Sequence, residues 1–309
     1  MASATTNASG QYTLSVPQNA TYDLRYTKSG YAGQTKSNVA VGSDTMMILA
    51  EVKLGKEIKF AGGNGTVVNP YQIATPQQLN DIRYVPNANF ILLNDIDLFH
   101  WGNWGPIGQI SSEPFSGIFN GNGFIVWNMT VDRASRAGLF GIINKGEVKN
   151  LGIVNATVYG YFYPVYAGGI AGHVTSSSIT NCYFIGNITS YAINFNAYAG
   201  GISGSISSSS INNCYQIGNI SANSSNGNAY TGGIVGNNNN SSISNCYYSD
   251  YNTINGIGNN VGGSASNMLA LSDVQMKQQS SFVGFDFTNV WAIAPNVNNG
   301  YPYLRGMQP

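Results

Sequence analysis

The chain has 309 residues, only 8% of them charged, and a formal net charge of zero. No basic patch is available to neutralise phosphates, which argues against a nucleic-acid partner. No apolar run reaches the 18 or more residues of a membrane-spanning helix. With 43% hydrophobic residues, 38 Gly and 20 Tyr, the composition fits an ordered all-β fold with a neutral, readily associating surface.

The first ten residues lack the basic and apolar regions of a signal peptide, so any export signal or anchor is expected outside this segment. Residues 10–17 and 21–26 alternate apolar and polar residues between Pro, Gly and Asn, which predicts antiparallel strands. The run Asn7-Ala8-Ser9-Gly10-Gln11-Tyr12, with Leu14, Val16 and Pro17, then Tyr22-Asp23-Leu24 and Ser29-Gly30-Tyr31, resembles the carboxypeptidase regulatory-like β-sandwich. Only the later strands of that family are present. The resemblance implies a partial sandwich over residues 1–58, either truncated or completed by a partner's strand.

From Ala61 the style changes. Thr75-Pro76-Gln77-Gln78 supplies an N-cap, a Pro at the first helical position and a capping-box Gln, predicting a short helix near 76–83 with Leu79 and Ile82 on its apolar side. Residues 90–98 read as one strand. Phe115, Phe119 and the glycines between them, then Ile125-Val126-Trp127, look like atypical first turns of a coil. After Tyr248 the period is lost. Ser272-Asp273-Val274-Gln275 is a second capping box and predicts a helix near 273–279. The segments around Phe285, Trp291 and Tyr301-Pro302-Tyr303-Leu304 are expected to close the far end of the array, since open strand edges recruit further chains.

Between these flanks one phrase recurs every 32 residues. Gly-Gly-Ile-x-Gly opens it at Gly168, Gly200 and Gly232, and Asn-Cys-Tyr closes it at Asn181, Asn213 and Asn245. A fixed period of this size marks a repeat architecture. Helical periodicity is missing and glycine is too dense for paired helices. The expectation is an all-β fold: a right-handed parallel β-helix, or solenoid, of ~32-residue coils. Stacked in register about 4.8 Å apart, Ile179, Ile211 and Ile243 form one apolar ladder, and Ile170, Ile202 and Ile234 another. Asn181, Asn213 and Asn245 form an amide ladder. Each Gly-Gly pair fits a corner needing positive φ or close backbone approach.

Gly138-Leu139-Phe140-Gly141, Gly169-Ile170-Ala171-Gly172, Gly201-Ile202-Ser203-Gly204 and Gly233-Ile234-Val235-Gly236 resemble the GLUG motif of bacterial and archaeal surface proteins. Gly62-Gly63, Asp95-Ile96-Asp97-Leu98, Pro106-Ile107-Gly108, Trp291 and Gly300-Tyr301-Pro302-Tyr303-Leu304 are similar to that family too. The resemblance covers residues 61–309 and implies a secreted cell-surface β-solenoid, with no reaction attached.

Candidate chemistry is sparse. Cys182, Cys214 and Cys246 read as small core hydrophobes, with disulfide pairing or a soft metal as alternatives; zinc would need further converging ligands. Asp95 and Asp97, two apart on the expected strand, could pair for acid–base work or calcium, but no third acid is near. His173 sits where sibling repeats carry Ser205 and Asn237, which suggests a solvated loop. Tyr159, Tyr161, Phe162, Tyr163 and Tyr166 cluster in one inter-repeat stretch, aromatics recur at Tyr191, Phe195, Tyr198 and Tyr230, and the set could pack over the coil edge, enter a subunit interface or contact a glycan. Ten Asn-x-Ser/Thr sequons occur; Asn155, Asn187 and Asn219 recur at repeat spacing and are candidate N-glycosylation sites.

Catalytic residues, cofactors and bound metals are expected to be absent. The leading expectation is a non-enzymatic, extracellular structural or adhesive protein of the cell surface that self-associates into a filament, sheath or layer, in part through its incomplete sandwich. A carbohydrate-binding adhesin using the tyrosine-rich edge is the alternative. A polysaccharide-acting β-helix enzyme is the third.

Overall fold

The computed structural model describes residues 2–7, 11–28, 31–43, 58–252 and 254–306. The chain divides into two units, Met1–Lys59 and Phe60–Pro309.

In the first unit, Ala20–Lys28 and Tyr31–Val41 pair antiparallel. Tyr22, Leu24 and Tyr26 alternate with exposed neighbours, as a half-buried strand requires. Of the strand expected over 10–17, residues 11–17 have no ladder partner among the described residues; they lie against the hairpin through Tyr12 and Tyr26, whose hydroxyls are 3.1 Å apart, and through the Tyr22 hydroxyl donating to the Pro17 carbonyl. Two strands make one layer, so the second sheet of a sandwich is not among the described residues. Residues 8–10 and 29–30 of the sandwich-like motif lie outside them.

The second unit is a parallel β-solenoid. Its broadest sheet stacks Tyr71–Ile73, Phe90–Leu92, Ile118–Asn120, Glu147–Phe162, Ser178–Ala192, Ser210–Ile217, Ser242–Ser249 and Ser264–Leu271. A second face stacks Phe140–Asn144, Ala171–Thr175, Ser203–Ser207, Val235–Asn239 and Ile257–Val261. A third stacks Arg136–Ala137, Val165–Gly168, Ala197–Gly200 and Ala229–Gly232. One inward column runs by direct pairing through Tyr71, Phe90, Phe119, Val148, Ile179, Ile211, Ile243 and Ala265. Aromatic side chains fill the first coils and β-branched ones the regular middle. Ile170, Ile202 and Ile234 are fully buried in the same core.

The glycine pairs sit at corners by close approach, without positive φ. A Cβ on Gly168 would lie 2.4 Å from the Ala171 carbonyl oxygen, and one on Gly169 would lie 2.3 Å from the Phe184 ring. The left-handed positions lie elsewhere: Asn150, Asn181, Asn213 and Asn245 have φ of 51–53°, and Lys145, Ser176, Ser208 and Asn240, at the turn before the broad sheet, have φ of 48–58°. Asparagine is among the few residues that tolerate this region.

Both capping boxes form short helices. Pro76–Asp81 is capped by Thr75 Oγ1, which accepts from the Gln78 amide; Leu79 and Ile82 are buried with Phe90 and Leu92 in the first coils. Asp273–Met276 is capped reciprocally by Ser272 and Gln275. The C-terminal segment, however, does not close the far end. It runs back along the outside of the broad sheet, where Met276, Phe282, Phe285, Trp291 and Leu304 form a second core with Tyr183, Tyr215 and Tyr247. Residues 182 and 183 point to opposite faces of one strand, so the cysteine goes inward and the tyrosine needs an outside cover. By its end this strap reaches Gly306, packed against Gly123.

Candidate functional site

Each cysteine lies inside the solenoid with no exposed surface. Their column continues Leu151 and ends on Met268. Every thiol donates to the carbonyl two residues earlier, at 3.3 Å for Cys182 to Thr180 and 3.2 Å for Cys214 to Asn212 and Cys246 to Ser244. All three are free thiols, and burial pushes the Cys214 thiol well above its usual range. A thiol so disposed is an inert packing group, since the thiolate is the reactive and metal-binding form. Among the described residues no group of three or more His, Cys, Asp or Glu is placed to hold a metal ion.

The amide ladder is longer than the repeat. Asn150 donates to Asn120, Asn181 to Asn150, Asn213 to Asn181, Asn245 to Asn213 and Asn267 to Asn245, at 3.0–3.3 Å. The Asn122 backbone N–H caps its first oxygen. Six side chains thus satisfy one another along the axis.

Asp95 and Asp97 do not form a carboxylate pair on one strand. The expected strand over 90–98 breaks into Phe90–Leu92 and Ile96–Asp97, with Asp95 in the intervening turn. Asp95 accepts from the Ile125 amide at 2.9 Å, and burial raises its pKa against that bond. Asp97 accepts from the Phe99 amide and from Asn128 Nδ2. Both carboxylates hold backbone and ladder groups in place.

His173 is on the strand Ala171–Thr175, not in a loop. Its ring packs on Tyr166, Thr175 Oγ1 lies 2.9 Å from Nε2, and Nδ1 is buried without a partner. Burial, then the nearby Arg136, lowers its pKa, since both disfavour the charged ring. Its siblings Ser205 and Asn237 instead join a polar row in which Asn259 donates to Asn237 and Asn237 to Ser205.

The three repeat sequons are exposed, but they are not one row. Asn187 and Asn219 sit one above the other, the Asn219 backbone N–H donating to Asn187 Oδ1 at 3.3 Å. Asn155 falls in a bulge between Val154 and Ala156, so Thr157 pairs with Asn187. The Asn155 amide is turned to Asn128, 2.6 Å away. A one-residue bulge shifts everything after it, and equal sequence spacing hides that shift.

The tyrosines separate into supports and platforms. Tyr166, Tyr198 and Tyr230 stack face to face at 5.2 Å along the third face, and Tyr161 stacks on Tyr191 at 5.8 Å. Tyr159 packs beside Tyr161. Ring faces used this way are closed to a ligand. Beside them Phe162, Tyr163 and Phe195 are 57%, 55% and 41% exposed, with Tyr163 and Phe195 rings 4.7 Å apart. Phe162, Tyr163 and Phe195 belong to the aromatic cluster read from the sequence, and they are its exposed members.

Comparison with known proteins bears on the fold and its setting. The model of the GLUG motif family matches residues 163–189, one connector and one complete repeat phrase. Over 172 residues the chain is 28% identical to a protein of Haloquadratum walsbyi designated Halomucin, covering 50% of this chain and 2% of that protein. Over 124 residues it is 35% identical to an Evansella cellulosilytica protein designated a Gly-rich membrane protein, covering 37% of this chain and 14% of that one. The chain therefore spans a small fraction of the relatives it matches. A 1.30 Å crystal structure from Bacteroides ovatus, designated an immunoglobulin A1 protease, superposes with a TM-score of 0.57 at 20% identity, over 81% of this chain and 96% of that one. That likeness is one of fold.

Proposed function

We propose that the chain is a non-enzymatic structural module of an extracellular cell surface, which self-associates by strand addition at the open edge of its last coil. The observation that carries this reading is the character of that edge. Ile257–Val261 and Ser264–Leu271 are the outermost strands of two parallel sheets. Residues 254–271 contain no charge and no proline, and Val261 and Leu269 are each 54% exposed. Native edges are ordinarily blunted by Lys, Pro, a bulge or a cover. The opposite end has such a cover: Gly62 bridges Gln72 antiparallel, and the helix Pro76–Asp81 closes the first coils. The C-terminal strap, which leaves the last coil directly, is committed to the side of the sheet.

Several features support the setting. The surface carries almost no charge to keep copies apart. One relative is designated a membrane protein, and the two carboxylates best placed by sequence for catalysis are occupied by backbone amides. Sedimentation velocity tests the reading. The unaltered chain should form concentration-dependent oligomers, and the double variant Val261→Lys/Leu269→Lys should sediment as a monomer with an unchanged melting temperature. A chain that stays monomeric at high concentration, or a charged double variant that still associates, contradicts it.

A further inference from the structure

At one corner of the solenoid three connectors stack: residues 163–164, 193–196 and 225–228, each leading into a strand of the third face. Over them lies a groove of about 500 Å³ lined by Tyr166, Phe195, Asn194, Asn196, Asn226 and Asn228 among others, none of the lining residues charged. We propose that this groove binds a neutral glycan chain laid along the solenoid axis.

The chemistry of the lining selects the ligand class. Phe195, in the lining and 41% exposed, offers apolar ring surface to the C–H surface of a sugar, with Tyr163 packed beside it at 4.7 Å. Phe162, immediately before Tyr163, is held at φ 112° with its ring exposed, a strained conformation for any residue but glycine. The asparagines offer uncharged donors and acceptors in fixed orientation. Asn226 Nδ2 donates to Asn194 Oδ1 at 2.6 Å, the Asn228 backbone N–H to Asn196 Oδ1 at 3.0 Å, and Asn196 Nδ2 to the Tyr198 hydroxyl at 2.9 Å. Those bonds leave Asn194 Nδ2 and the Asn228 side-chain amide without a protein partner. An anionic ligand would need a cation here, and an amphipathic helix would need an apolar trough. Hydroxyl-rich, uncharged rings match what is present.

Register adds a requirement for length. Asn194 and Asn226, and Asn196 and Asn228, occupy matching places in successive coils, and the supporting rings repeat at 5.2 Å. The ligand therefore presents hydroxyls repeatedly along its own axis, as an oligosaccharide does and a monosaccharide does not.

Calorimetric titration of the intact chain with mono- to hexasaccharides of glucose, mannose and N-acetylglucosamine, and with polygalacturonate as an anionic control, tests the proposal. At least one neutral series should bind, tightening with chain length. Phe195→Ala and Asn228→Ala should each weaken it about tenfold or more, with unchanged melting and sedimentation. Asn228 is exposed in a connector, so its variant carries the test if Phe195→Ala does not fold. No neutral series binding at millimolar concentration overturns the proposal, as do tighter binding of polygalacturonate or variants that bind like the parent. A shift in sedimentation with Phe195→Ala in the absence of glycan would make the groove a contact between copies and overturn it too. Val261→Lys/Leu269→Lys should bind glycan like the parent, which separates this site from the self-association edge.

Discussion

At the scale of single residues, asparagine does two jobs that the repeat phrase does not distinguish. Its side chain extends the amide column from Asn120 to Asn267, and its backbone takes positive φ. The column was legible because Asn181, Asn213 and Asn245 recur beside inward-facing cysteines. The positive φ was not, because glycine satisfies both a left-handed turn and a close approach, and only the structure separates the two. Asn213→Ala should lose two side-chain hydrogen bonds at roughly 1 kcal/mol each and force alanine into the left-handed region at roughly 1 kcal/mol more. Urea unfolding should show a loss of about 2–3 kcal/mol. Asn213→Gly restores the backbone but not the bonds, so it should recover about 1 kcal/mol of that loss. Equal stability of the two variants would mean that the left-handed position carries no strain. Elsewhere the ladder logic is broken: Asn238 occupies the inward place of Val174 and Ile206 and leaves Oδ1 buried without a partner.

At the scale of elements, local chemistry was the most legible. The boxes at Thr75 and Ser272 each start a helix, because capping satisfies amides within four residues and needs no tertiary context. The docking of the C-terminal strap was not read. It depends on Tyr183, Tyr215 and Tyr247 facing outward, and in the repeat phrase they look like one more core letter. The signal was the adjacency of Cys and Tyr on one strand: two neighbouring apolar residues face opposite sides, so both sides must be covered. Tyr247 donates to the Val283 carbonyl and Tyr215 to that of Pro302, pinning the strap at two points. Trp291 is fully buried between them, 4.6 Å from Phe285 and 5.9 Å from Tyr215. Trp291→Ala should cost about 3–5 kcal/mol and make residues 272–306 sensitive to limited proteolysis while the coils stay intact. Unaltered protection of that segment would show that the strap is held by other contacts.

At the scale of the whole molecule, the regular coils were legible and the irregular ones were not. Ile179, Ile211 and Ile243 recur at 32 residues, but the column leaves Tyr71 for Phe90 after 19 and Ile243 for Ala265 after 22. Identical side chains signal a stack only where coil length is constant. Shorter coils keep the same register with different residues, because backbone pairing, not side-chain identity, sets it. Among the described residues of the second unit the first coils are covered and the last coil ends on unpaired strands, and association through that last coil is the central claim. Amide hydrogen exchange as a function of protein concentration tests it most directly. Exchange in residues 257–271 should slow as concentration rises, while residues 147–192 in the interior of the stack stay equally protected throughout. Exchange in 257–271 that is fast and independent of concentration would contradict the account.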